Sequence, residues 1–504
     1  MTVNKIDSNA TGLRFAEEDS IGVLPVTPDW YPLEPNSYKD FGGQISTVAR
    51  NPINDGRQLR KGVLTDLDAS GGFTSDLTYD NLQRILQGFF FADFRTKAEI
   101  TVADVDGTAN EYQPTAGGDG YLAGDLLFAK GATNSANNGL KVVTGTPDAD
   151  QVGVTDTSLV DESTASITIS RVGFQFGSGD AEISNSGVPT LTSTTKDLTQ
   201  LGLIPGEWIF IGGDQTSEKF TTAANNGFAR VKSVAAHAIV FDKTAGTMVT
   251  DTGTGKTIRI FFGRVLKNET GTNIKRRTYQ LERKLGAPDS AQPSQIQSEY
   301  LVGAVPNQLM IDVKTADKVT VDLSFIGIDH ETRDGATGVK SGNRPALSTG
   351  APFNTSSDFA RIKMQIAGSP NPSPLFAFFT ELSLTINNNV SPAKAVGELG
   401  AFEMVAGNFQ VSGNVTGYFS DVAAVQAVRS NSNVTLDMHL VGINNGVSID
   451  VPLITLGNGR LQVEQDKSIM IPMSADAASG ADVDANQDHT LLMIFWDYLP
   501  NLAG

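Results

Sequence analysis

Cysteine is absent from all 504 residues, which excludes disulfides, thiolate metal sites and a cysteine nucleophile. Long apolar runs are absent too, and none approaches the ~18 residues of a membrane-spanning helix. No N-terminal stretch sets a basic segment before an apolar one, so no signal peptide is expected. Histidine is scarce. His237, His330, His439 and His489 are scattered, without the spacing of metal ligands, and His439 alternates within a strand as a structural residue would. Segments of helical period are few, the clearest being 78–91 and 420–430. Basic residues are outnumbered, 38 Lys plus Arg against 56 Asp plus Glu, for a formal charge of −18. Such a chain repels phosphate and is a poor non-specific nucleic-acid binder, although the same charge suits a conduit that DNA crosses without sticking.

Short alternating apolar runs, separated by Gly, Thr, Ser, Asn and Asp, dominate what is present and mark a mainly β chain. The organising stretch is 61–91, KGVLTDLDASGGFTSDLTYDNLQRILQGFFF. It reads as strand, tight turn at 66–72, strand, then a helix capped by Thr78 with Leu82, Ile85, Leu86 and Phe89 at helical spacing. Residues 402–431, FEMVAGNFQVSGNVTGYFSDVAAVQAVRSN, follow the same plan, with Ser420 as cap and Val422, Val425 and Val428 on the helix. Two modules of one design are therefore expected. Module 1 would comprise 1–95 and 266–340, and module 2 would comprise 358–504. A linker at 341–357 has no apolar period.

Residues 96–265 differ in texture and hold a repeat of their own. GDLLFAKGATNSANNGLKVV begins at Gly124 and GEWIFIGGDQTSEKFTTAANNGFARVKSV at Gly206. Each sets Gly and an acid before a strand, then Asn-Asn-Gly, read as a tight hairpin turn. An inserted all-β decoration domain of two small units is expected. In the strand candidate 318–328, Thr320, Asp322 and Ser324 share one face, and Val319, Val321, Leu323 and Phe325 the other.

Candidate chemistry is thin. GTGKT at 253–257 ends like a phosphate-binding loop, but Thr250 stands where its first Gly belongs and a strand follows. Asp482, Asp484, Asn486 and Asp488 alternate like calcium ligands, yet Gln487 replaces the required Gly and Met493 the required Glu. No nucleophile elbow is present. No enzyme activity, cofactor or metal is expected. Assembly-interface candidates are Trp30 and Tyr31 on a proline-rich N-terminal arm, the apolar helix end Phe89, Phe90 and Phe91, and the basic cluster Arg57, Arg60 and Lys61. The arm could equally fold back on its own domain, and the cluster is either a solvated or a subunit-pairing face.

The run RNPINDGRQLRKGVLTDLDASGGFTSDLTYDNLQRILQGFF resembles the N-terminal part of major tail tube proteins of long-tailed, siphovirus-like bacteriophages. So does the chain from ELSLTINNNVSPAKAVGELGAFEMVAGNFQVSGNVTGYFSD to Trp496. The resemblance implies β-sandwich or barrel modules, each with a flanking helix, whose inner sheets join across subunits. It implies stacked rings forming a tube for DNA ejection, a virion location after synthesis in the host cytoplasm, and a tape-measure protein and tail tip or terminator proteins as partners. Two modules per chain suggest trimeric, pseudo-hexameric rings. Another virion role, in decoration or the baseplate, remains an alternative, as does a glycan-binding adhesin using Trp208 for stacking.

Overall fold

The structure, a computed structural model, describes residues 5–8, 11–53, 55–56, 58–287, 295–367, 374–376 and 378–503. The chain opens with β1 (Gly12–Glu17), β2 (Tyr31–Leu33), the long strands β3 (Pro35–Arg50) and β4 (Arg60–Asp76), and helix α1 (Gln83–Phe90). Short strands fill the stretch from Glu99 to Phe261, among them β5 (Trp208–Ile211), β6 (Gly227–Ala235) and β7 (Ala238–Thr244). Next come β8 (Arg264–Lys267), β9 (Tyr279–Gly286), β10 (Gln297–Lys314), β11 (Thr320–Gly327) and β12 (Asp329–Arg333). The last third holds β13 (Phe359–Ile366), β14 (Phe379–Asn387), the β15 (Ser391–Lys394) and β16 (Ala401–Val405) hairpin, and β17 (Gln410–Tyr418). Helix α2 (Ala423–Arg429), β18 (Val434–Val441), β19 (Gly446–Asn458), β20 (Met470–Ala478) and β21 (Leu492–Trp496) complete it. The protein is mainly β and antiparallel.

Two compact units emerge. One holds Met1–Ala92, Glu269–Thr355 and Thr380–Val415; the other holds Asp93–Asn268, Ser356–Phe379 and Thr416–Gly504. Compactness thus groups the 93–268 stretch with the C-terminal residues.

In the first unit β10 is the spine. Its first half lies between β9 and β12, and its second half between β11 and β14. Beyond these, β4 pairs with β11 and β3 with β4, while β1 adds to β9. Gly303, at φ +59, lets β10 bend between its halves, where a Cβ would meet Ile328 at 2.5 Å. Period-2 alternation then sorts the side chains. Phe73, Leu323, Leu309, Ile311 and Ile386 are buried on one face, against which α1 packs Phe89 on Phe325 at 5.3 Å between ring centroids. Thr74, Asp322, Met310 and Thr385 line the other face in register. Asp322, Asp76 and Asp312 on that face are each paired with a lysine: Lys39, Lys318 and Lys314 respectively.

Two local expectations are corrected. Residues 66–72 do not turn; they run inside β4, because Gly71 and Gly72 serve close packing. A Cβ on Gly72 would meet the Leu323 carbonyl oxygen at 2.9 Å, and one on Gly71 the Phe41 ring at 3.0 Å. The helix begins at Gln83, not at Thr78, whose hydroxyl instead accepts from the Asn81 amide at 3.4 Å in the preceding turn. Residues 341–353 strap across the unit: the Ser341 carbonyl accepts from Trp30 Nε1, Arg344 pairs with Glu282, and Phe353 is buried.

In the second unit the two halves of the 93–268 stretch share their hydrogen bonds. Buried Asp125 accepts from the Leu122 amide at 2.8 Å and Arg171 at 3.2 Å; buried Glu207 accepts from the Ile204 amide at 3.1 Å and Lys97 at 3.2 Å. Asn-Asn-Gly is not a two-residue turn. Asn138 and Asn226 are extended, and only Gly139 and Gly227 take positive φ. The asparagines are staples. Asn137 exchanges two hydrogen bonds with the Val160 backbone at 2.8 and 2.9 Å, and Asn225 two with Val249 at 2.9 Å each. GTGKT is a tight turn, Lys256 N donating to the Gly253 carbonyl at 2.9 Å, and a strand follows, so no helix offers amides to phosphate.

Asn225→Ala should cost about 1–2 kcal/mol, since it leaves the Val249 carbonyl and amide without their side-chain partner, and should lower the melting temperature measured by calorimetry; the Asn137→Ala effect should be alike.

Candidate assembly surfaces

The aromatic candidates lie inside the first unit. Trp30 is fully buried, edge-on to Tyr300 at 5.7 Å, with its Nε1 donating to the Ser341 carbonyl at 3.0 Å. The arm is therefore folded back on its own unit. Phe89 and Phe90 are buried, Phe90 lying 6.0 Å from Phe409. Phe91 is half-buried; it ends α1 at φ 48 and packs on the Val305, Val390 and Met404 cluster. Tyr31 is also half-buried, with the Arg84 guanidinium 4.3 Å above its ring. These side chains have little surface left to offer a neighbour. Arg60 and Lys61 are exposed, and Arg57 lies outside the described residues.

Three other features reach outward. The first is the ribbon made by the far ends of β3 and β4, where 44–50 is exposed throughout. Ile45, Val48, Val63 and Leu64 are half or more exposed, and Ile53 and Leu59 in the connecting loop more so. Arg50 stands directly opposite Arg60, a like-charge pairing that destabilises a ribbon in isolation. The second is the β15–β16 hairpin, with Val396, Leu399, Phe402 and Val405 exposed. Its Lys394 bridges Asp66 and Asp68 of β4 at 2.6 Å each.

The third emerges by comparing β10 with β19. The first half of each is flanked on both sides, β10 by β9 and β12, β19 by β18 and β21; the second half is joined by β11 or β20. β9 leaves β10 at Ala304, and β14 takes its place from Gln308 to Lys314. β18 leaves β19 at Ile454, yet among the described residues no strand takes its place along 458–464. Ile311 and Val313, beside β14, are 3% and 9% exposed; Leu461 and Val463, at the matching positions, are 41% and 70% exposed. The sequence predicts a hairpin of 460–465 with 468–472, and Gln462 does pair with Met470, but no local pattern marks Leu461 and Val463 as exposed. On α2 the buried residues are Ala424 and Ala427, while Val422 is exposed.

Above that arm, the first part of β19 belongs to a buried ion cluster of the second unit. Asp437 and Asp450 face each other across β18 and β19, both fully buried. Arg230 of β6 binds Asp450 at 3.0 Å and Asp242 at 2.7 Å. Lys243 of β7 lies 3.5 Å from Asp437 and 3.4 Å from Asp450, and Arg361 of β13 pairs with Asp437. Trp208 Nε1 donates to Asp450 at 3.1 Å, so this tryptophan is buried structure and has no face for a sugar. Burial would raise Asp437, but Arg361 and Lys243 outweigh it and hold it at about 2. Burial depresses His439 to about 3 and His489 to about 4; His439 stacks on Phe228 at 4.1 Å.

The sign of the pH effect follows. An unfolded histidine takes up its proton near 6.5, whereas these two, when folded, do not until well below that. Their contribution is fully present above pH 6.5 and declines as pH falls toward 4 and then 3; Asp437 adds to the loss below pH 4. The melting temperature of the second unit should therefore fall steadily from pH 7 to pH 4, by a few kcal/mol of stability in all, and His439→Phe should flatten that slope in a calorimetric pH series. In the first unit, Phe89→Ala should cost about 3–5 kcal/mol of stability, while Val463→Ser, in the second, should cost under about 0.5.

A search of curated proteins gives no match. A family model described as phage tail tube protein matches residues 8–484, nearly the whole chain. Mainly antiparallel β structure with exposed strand-like edges suits a virion tail component. The chain belongs to the phage tail tube protein family.

Proposed function

We propose that the chain polymerises into stacked rings that form the tail tube and serve as the conduit for DNA ejection. We further propose that each chain supplies two tube modules, so that three chains close a pseudo-hexameric ring. The matching strand lists support the duplication: β1, β9, β10, β11 and β12 pair among themselves as β13, β18, β19, β20 and β21 do. In each set a strand and a short helix lie between the first member and the second, β4 with α1 and β17 with α2.

The observation that carries the reading is the open 458–464 arm. One edge of the arm is taken, Gln462 bonding Met470, while the other pairs with no strand among the described residues; an open edge beside exposed apolar side chains is an aggregation hazard unless a partner strand completes it. The β10–β14 pairing supplies the pattern within one chain. The free edge of β3, which among the described residues pairs with no strand but β4, is the strand that a second copy would offer. A non-closing head-to-tail use of the ribbon and the β15–β16 hairpin would stack the rings. The polar face carrying Asp322, Asp76 and Asp312 would line the channel. With each carboxylate matched by lysine, it gives DNA neither a strong repulsion nor a loose cation to grip. A tape-measure protein and tail tip or terminator proteins would set length and ends, and the 93–268 stretch would face outward.

Because the chain has no cysteine, Ser37→Cys with Glu464→Cys gives a clean test, with Lys39→Cys as the register control. Oxidation of assembled tubes should give chain-to-chain ladders from one of the paired variants and none from the single variants. Helical reconstruction of the tube should show three chains per ring. Six chains per ring, or no ladder from any pair, would refute the reading.

A further inference from the structure

We propose that docking of the 93–268 insertion on β18 and β19 is the step that makes the chain competent to polymerise. The proposal rests on the reading of 458–464 as the assembly edge.

The argument starts from two aspartates. Asp437 and Asp450 are direct cross-strand partners, both fully buried. Like charges placed opposite one another oppose strand pairing, and buried carboxylates without partners oppose it far more. Three cations answer them. Arg361 comes from β13, the strand beside β18, while Arg230 and Lys243 come from the insertion. Trp208, also of the insertion, supplies a further hydrogen bond to Asp450 at 3.1 Å. Before the insertion arrives, β18 and β19 would have to seat two facing carboxylates against one guanidinium.

Packing carries the same dependence. Trp208, Phe210 and Phe228 of the insertion share one apolar cluster with Val441 of β18 and with Leu492, Ile494 and Trp496 of β21. The His439 ring lies on Phe228, and His489 sits so close to Gly206 that a Cβ there would be 2.4 Å from the ring. β19 leads directly from Asp450 to Asn458, where the arm begins; β20 bonds one edge of it through Met470 and Gln462, and no strand among the described residues pairs with the other edge. The register of the arm is therefore inherited from a strand whose seating needs the insertion. The insertion precedes β18 and β19 in the chain, so synthesis delivers it first. An edge that stays unformed until the second unit is complete would keep partly folded chains from pairing prematurely.

The test uses the full chain and two variants. Arg230→Met leaves Asp450 short of its nearest cation; adding Asp450→Asn restores the charge balance. In Arg230→Met, amide exchange across 446–458 should accelerate by about a hundredfold. Tubes should be lost at a concentration where wild type assembles. Arg230→Met with Asp450→Asn should recover most of both. Wild-type assembly by Arg230→Met, or loss of tubes with β19 still protected, would overturn the proposal. So would a double variant that regains protection of β19 without regaining tubes. If wild type itself forms no tubes, the assembly reading fails first, which is recognisable because the exchange measurement needs no tubes.

Discussion

A strand in a sheet has two hydrogen-bonding edges, and most of this molecule is organised around filling them. β10 has a partner along both edges of both halves, drawing on four other strands to do so. Its side chains sort accordingly into a buried apolar face and a polar face. β19 is built to the same pattern, but among the described residues no strand replaces β18 beyond Ile454, and Leu461 and Val463 are exposed. Leaving backbone groups and valine exposed together has a cost that a soluble monomer gains nothing from. The partner proposed for that edge is a second copy of the chain.

Charge follows a related logic. The chain is strongly acidic, yet its carboxylates are not left to repel one another at structural points. On the polar face of the first unit each of three aspartates has its own lysine. In the second unit three cations and three aspartates form one cluster, most of it out of water. Replacing such a cluster with apolar groups is often no less stable, but removing one member is severe. The arrangement therefore specifies which elements must come together. Here it ties residues 93–268 to the C-terminal strands within one compact unit.

Legibility varied with the distance over which each feature is decided. The alternation of 319–325 gave both faces of β11 correctly, because side-chain period in a strand is a local property. The two Asn-Asn-Gly phrases were visible as a repeat, but their role was not: they look like turn formers, and only the folded chain shows Asn137 and Asn225 bonded to backbone more than twenty residues away. The Gly pair in 66–72 misled for the same reason, since a glycine needed for close approach of β11 cannot be told from one needed for a turn. Trp30, Phe89 and Phe90 are read from the sequence as contact residues; apolar side chains suit a core and an interface equally, and in the single chain all three are buried.

The sequence by itself determined the β class, the lack of cysteine and of long apolar runs, the two Asn-Asn-Gly phrases and the family resemblance, all of which depend on composition and short-range period. The tertiary structure alone decided which unit the insertion joins, which aspartates face each other, and which edge is left without a strand. Those facts depend on pairings between residues hundreds of positions apart, where no local pattern of side chains specifies the partner.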